Sequence, residues 1–256
     1  MTGESGSVER VRHGAIAELR LARPPVNALD PALVGATREA LTTAVEGGAG
    51  AVVLSGRPGI FSAGLDLPQL LTLGDDDLRA FWQSLFGLLE DLARSPVPVV
   101  AALTGHSAAG GTILALFCDY RIMARGEFRI GLNEVQAGLV VPGAIRGALA
   151  RLVGPYRAER HLLAGELAGP ADAERIGLVD ELADPEAVVG RALDWCRRHL
   201  RLPQHAFAEN RRLLRRDLVA LFDDRRNLDV DAFAEHWFRD ETQRALHDLV
   251  EGFGRD

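Results

Sequence analysis

The chain has 256 residues and a formal net charge of −7, and all 29 of its Lys+Arg residues are arginine. The lack of lysine excludes a Schiff-base lysine, a lysine-anchored pyridoxal phosphate and a P-loop lysine. A general base must then be a carboxylate, His, Cys or Tyr, and an anion must be held by Arg, backbone N–H groups or a helix N-terminus. The acidic balance argues against a nucleic-acid partner, while a hydrophobic content of 47% supports a substantial core.

Met1 to Ser7 is polar and Gly/Ser-rich, with none of the apolar character of a secretory leader. Val8–Leu21 alternates as strand material. Asp30 followed by Pro31 reads as an N-cap and first helical position, opening an amphipathic helix through Val45 that Gly47-Gly48 ends. Ala51–Leu54 is a short apolar strand, and Ser55 to Gly64 a Gly/Pro-rich loop. Asp75 to Arg94 places Leu78, Phe81, Trp82, Leu85, Leu88, Leu89 and Leu92 at helical spacing. Pro96–Leu103 reads as a buried strand, Thr104 to Gly111 as a small-residue turn, Thr112–Phe117 as a helix and Tyr120–Ala124 as a strand. Beyond Pro142 the pattern is helical, interrupted by a strand at Gly177–Leu182. No internal repeat is visible. No apolar run reaches transmembrane length, and Cys118 and Cys196 form no disulfide framework. The expectation is a soluble cytoplasmic α/β protein, with a core over 1–195 and a helical region over 196–256.

Three segments carry candidate chemistry: Phe61-Ser62-Ala63-Gly64-Leu65-Asp66-Leu67, Gly105-His106-Ser107-Ala108-Ala109-Gly110-Gly111, and Ile130-Gly131-Leu132-Asn133-Glu134. The second resembles a nucleophile elbow around Ser107, but Ala109 stands where that motif has Gly, and no downstream His sits in a recognisable late loop. Small residues in two facing turns leave backbone N–H groups free to point at one carbonyl oxygen, an oxyanion hole. Trp82, Phe81 and Trp237 fit core or subunit contacts, and His106 a satisfied loop histidine.

These segments, together with Pro25-Val26-Asn27-Ala28-Leu29, Pro98–Gly105 and Cys118-Asp119-Tyr120-Arg121-Ile122, resemble the crotonase superfamily, the enoyl-CoA hydratase/isomerase family. The resemblance runs from about Val8 into the helical tail. It implies a crotonase-like spiral of β-β-α units with a helical C-terminal trimerisation region, assembled as a homotrimer or a dimer of trimers. It implies an acyl-CoA thioester as substrate, coenzyme A being part of that substrate, and no metal or redox cofactor. By position, the oxyanion donors would be the amides of Ala63 and Gly110. Binding residues would include Val26, Ala28, Leu65, Asp66 and Leu67.

Hydratases of this family carry two glutamates, one three residues after the oxyanion glycine and one after the next strand. Here those positions hold Ile113 and Glu134. Moving a double bond from C3 to C2 needs only one carboxylate, with Ile113 as an apolar wall that excludes water. The segment Ile130–Glu134 with Gln136 and Gly138 is similar to the mitochondrial-type Δ3,Δ2-enoyl-CoA isomerases, in which the matching glutamate transfers the proton. Taken alone, Glu134 is an ordinary acid at a helix start; its flanking motifs make it the candidate base, with its pKa tuned by an apolar pocket. The expectation is an acyl-CoA isomerase of lipid metabolism. The alternatives are another crotonase reaction such as enoyl-CoA hydration, or a non-catalytic CoA-binding scaffold. Arginines of the Arg201–Arg226 tail are candidates for the CoA phosphates.

Overall fold

A computed structural model describes residues 7–252, so most of the polar start lies outside the described residues. Strands β1 (Val8–His13) and β2 (Ile16–Leu21) form an antiparallel hairpin across Gly14 and Ala15, with His13 opposite Ile16. Gly14 turns the chain at φ +66°, a region glycine enters without steric cost. Helix α1 (Pro31–Glu46) begins as its sequence predicts: the Asp30 carboxylate accepts from the Leu33 amide at 2.7 Å, and Pro31 takes the first turn. Leu33, Val34, Thr37, Ala40, Leu41 and Ala44 form its buried face.

Three turns of a spiral follow. The first comprises β3 (Ala51–Ser55), β4 (Gly59–Ser62), the short α2 (Leu67–Leu70) and the long α3 (Asp75–Arg94). The second comprises β5 (Val99–Leu103), β6 (Gly105–Ala108) and α4 (Gly110–Leu116). The third comprises β7 (Tyr120–Ala124), β8 (Ile130–Gly131) and a 3-10 turn over Glu134–Ala137. The first strand of each turn joins a six-stranded sheet ordered β1-β2-β3-β5-β7-β9, and the second strand joins a three-stranded sheet ordered β4-β6-β8. Successive turns pair in parallel in both sheets.

The remaining elements are α5 (Gly143–Val153), α6 (Pro155–Ala164), α7 (Pro170–Ile176), β9 (Glu181–Ala183), α8 (Val188–Leu200), α9 (Gln204–Leu214), α10 (Arg216–Ala220), α11 (Val230–Trp237) and α12 (Asp240–Gly252). No helix of the described residues is long and apolar enough to cross a membrane.

β3 shows why its run is continuously apolar. Val52 and Leu54 face the main core, whereas Ala51 and Val53 face a second cluster under α8 formed with Val188, Ala192, Leu193 and Cys196. Covered on both sides, such a strand has no polar face. Two loops expected from the sequence contain the strands of the small sheet, β4 and β6. They are short and lack a clean alternation, and their pairing is long-range. Gly105 permits their approach, because a Cβ there would stand 1.9 Å from the carbonyl carbon of Gly59. The C-terminal helices are riveted to the spiral by Asp119. Its carboxylate accepts from Arg211 (2.7 and 2.8 Å) and Arg215 (3.1 Å) and also from the Val99 amide.

Candidate active site

Because β4, β6 and β8 run parallel as neighbours, their C-terminal ends open at one edge, where parallel sheets place their ligands. The three segments singled out in the sequence all leave from that edge. The Ala109 amide donates to the Gly131 carbonyl at 2.8 Å. The Gly131 amide donates to the Thr112 hydroxyl at 2.9 Å, and that hydroxyl donates to the Ser107 carbonyl. Ala109 sits at φ +44°, a conformation that non-glycine residues avoid and that clusters at functional sites. Gly64, at φ +104°, packs against this turn: a Cβ on it would lie 3.0 Å from that of Ala109 and 3.3 Å from the Gly110 nitrogen. The two small-residue turns are therefore in contact.

The first turn is held from outside by Pro25–Leu29. The Asn27 side chain donates to the Phe61 carbonyl (3.0 Å), and Ser62 Oγ donates to the Asn27 carbonyl (2.7 Å). Arg23 extends this clamp to the Asp66 carboxylate (2.6 Å), the Ala28 carbonyl (3.2 Å) and Asp30 (3.1 Å). Asp66 also caps α2 through the Gln69 amide. Its side chain is thus committed to structure, and so is its backbone: the amide donates to the Leu29 carbonyl (2.9 Å) and the carbonyl accepts from the Leu70 amide (2.8 Å).

One expectation is corrected. The Ala63 amide donates to the Val26 carbonyl at 3.0 Å, so it is occupied. Among the described residues, the amides of Leu65 and Gly110 donate to no protein acceptor. Leu65 is flanked by the Gly64 carbonyl and the Asp66 amide, both of which pair with Leu29, so its own N–H is turned the other way. The free amide of the first turn therefore belongs to Leu65 rather than Ala63. Gly110 opens α4, where the first amides of a helix have no partner within it.

Glu134 begins the 3-10 turn after β8 and is only 8% exposed. Neither carboxylate oxygen has a hydrogen-bond partner. Burial pushes its pKa from the ordinary 4.5 up to about 7, with its own backbone amide pulling weakly the other way. The turn is pinned at three points. Leu139 N donates to the Glu134 carbonyl (2.9 Å), Gln136 donates to the Gly165 carbonyl (2.8 Å), and Thr242 of α12 donates to the Gly138 carbonyl (3.1 Å).

A cavity of about 240 Å³ joins these parts. Its wall comprises Ala63, Leu65, Leu67, Ala108, Ala109, Asn133, Ala137, Leu139 and Leu249, and Glu134 is the one ionisable side chain among them. Ala63, Leu65, Leu67 and Glu134 line this wall together, whereas Asp66 and Gly110 are not on it. Val26 and Ala28 stand behind the first turn rather than on the wall. Ile113 was expected to wall the pocket, but it is 3% exposed, packs into the main core and is absent from the wall. Alanines of the second turn and Ala137 and Leu139 fill that role instead. Leu249 had no local signal, because α12 reaches the cavity from the far end of the chain.

Other candidates resolve as structure. Ser107 is fully buried, with no partner for its hydroxyl and hence no base beside it. His106 stacks edge-on against Phe128, outside the cavity. Phe81, Trp82 and Trp237 are core. Of the tail arginines, Arg211 and Arg215 are consumed by Asp119, Arg212 by Glu209 and Arg226 by Asp224.

Comparison with known proteins shows relatives in sequence and in fold. The family profile described as enoyl-CoA hydratase/isomerase matches residues 11–253. The chain is 31% identical over 254 residues to human mitochondrial enoyl-CoA delta isomerase 1, covering 95% of this chain and 82% of that protein. It is 35% identical over 201 residues to a probable enoyl-CoA hydratase of Mycobacterium avium, covering 77% of each. The crystal structure of human mitochondrial delta3-delta2-enoyl-CoA isomerase superposes with a TM-score of 0.92 at 31% identity, over 97% of this chain and 98% of that one. The two-sheet spiral, the order of its motifs and these matches agree: the chain belongs to the enoyl-CoA hydratase/isomerase family, with the crotonase fold.

Proposed function

We propose that this member is an acyl-CoA isomerase that moves a double bond from C3 to C2 of an enoyl-CoA. The observation that carries the reading is a single buried, unpartnered carboxylate in an otherwise uncharged cavity whose wall includes Leu65 and Ala109, the free Gly110 amide following directly after Ala109 at the start of α4. The thioester oxygen is received by the Leu65 and Gly110 amides. Glu134, as carboxylate, removes a proton from C2, and the resulting dienolate places its negative charge on that oxygen. The protonated Glu134 then returns the proton at C4, and the electrons settle between C2 and C3. Proton and charge balance with no added group, so the chemistry calls for neither metal nor redox cofactor. A pKa near 7 suits a group that must accept and release the same proton near neutrality.

Hydration needs an activated water, and the family's solution holds it between two carboxylates. Position 113 is the isoleucine buried in the core, and the cavity wall adds no second acid. The test is purified protein with a 3-enoyl-CoA and, separately, a 2-enoyl-CoA in water. Appearance of the conjugated 2-enoyl product, with hydration much slower, is expected. Hydration as the faster reaction, or binding without turnover, would overturn the assignment.

A further inference from the structure

On the other side of β8 lies a second cavity, of about 730 Å³, sharing no wall residue with the first. Its size is within the usual range of small-molecule sites, about 300–1,000 Å³. Four arginines from three separate segments line it: Arg129 just before β8, Arg157 and Arg160 on α6, and Arg175 on α7. Among the described residues, Arg157 and Arg160 have no ion-pair or hydrogen-bond partner, and Arg129 donates only to the Phe128 carbonyl. Arg175 is paired with Asp172, and Glu166 is the other acid on the wall. The cavity therefore carries an excess of two positive charges in a chain whose net charge is −7. Leu167 and Ile176 add an apolar flank beside the arginines. The Ile130–Ala168 bridge ties one wall to β8.

Guanidinium groups gathered from three segments suit an anion with several oxygens, because each offers a planar fork matching phosphate. An apolar flank beside them suits an attached organic group. We propose that this cavity binds an organic diphosphate of the nucleotide class, at a site separate from the acyl-CoA cavity. The inference goes beyond the isomerase reading and does not depend on it.

The experiment is calorimetric titration of the purified full chain with ADP, inorganic pyrophosphate and adenosine. Steady-state KM for an acyl-CoA substrate is measured on the same proteins. ADP is expected to bind more tightly than pyrophosphate, adenosine to bind weakly, and affinity to fall with added salt, as exposed charges are screened. Arg157→Gln with Arg160→Gln is expected to weaken ADP by roughly tenfold or more per arginine, with the KM of the CoA ester unchanged. Glu166→Gln removes a like charge and is expected to tighten ADP, an opposite effect that general damage to the fold would not produce. Three results would overturn the proposal: no ADP binding at millimolar concentration, ADP affinity indifferent to the arginine pair, or a KM for the CoA ester that rises in step with the ADP dissociation constant. The last would mean one site serves both ligands.

Discussion

Replacing Glu134 by Gln tests both the chemistry and the physical origin of the raised pKa. Glu134 holds its proton more tightly in the fold than in the unfolded chain, at about 7 against an ordinary 4.5. The native state therefore binds more protons than the unfolded state between those values, and stability falls as pH rises across that window. Below pH 4.5 there is no penalty, and above about 7 it is complete. At about 1.4 kcal/mol per pH unit, the full cost of the buried charge is about 3 kcal/mol. Gln is neutral and nearly isosteric, so Glu134→Gln should be more stable than the parent by an amount that grows from near a constant offset at pH 4.5 to about 3 kcal/mol above it at pH 8. At about 2 °C per kcal/mol for a chain of this size, that is a difference of about 6 °C in Tm. The assay is thermal unfolding of both proteins at half-unit pH steps, alongside turnover of a 3-enoyl-CoA. The variant should lose turnover throughout. A Tm difference that does not change with pH would refute the claim that burial raises this carboxyl, whatever happens to activity.

Four further outcomes follow from the same contacts. In the parent, kcat/KM should rise with pH and level off above about 7, standing near one-tenth of its plateau about one unit lower, because the base must be deprotonated; a flat profile between pH 5 and 8 would contradict this. Replacing the Leu65 peptide N–H by an ester oxygen should lower kcat by about 10²–10³, while the same change at Ala63, whose N–H is bound to Val26, should cost far less; equal losses would return the donor role to Ala63. Leu249→Trp should raise KM for long acyl chains more than for short ones, since Leu249 walls the cavity, as read by a chain-length series. Asp119→Ala strips the partner from Arg215, which is 6% exposed. Breaking such a buried pair should cost about 3–5 kcal/mol in urea unfolding.

Much of this molecule is legible in its sequence wherever the physics is local. The Asp30-Pro31 start of α1, the apolar stripe of α3 and the doubly buried run of β3 depend on capping, periodicity and burial within one segment. The motif order also identified the family. What stayed hidden is non-local. The spiral repeats its pair of strands three times, followed by α-helix in the first two turns and a 3-10 turn in the third, without a repeated sequence, because each turn meets different neighbours and only the backbone pairing recurs. β4 and β6 read as loops because their stability comes from each other rather than from their own residues. The small residues Ala63 and Gly64 announce that amides of this turn are available, but hydrogen bonding decides which one. Val26, brought alongside by the Asn27 and Ser62 contacts, takes the Ala63 amide and leaves that of Leu65 free. In the same way, a helix face packed into the core removes Ile113 from the pocket, and α12 delivers Leu249 to it. Residue type determined which chemistry this chain offers; the direction of each amide and side chain, set by contacts distant in sequence, decided which groups face the cavity.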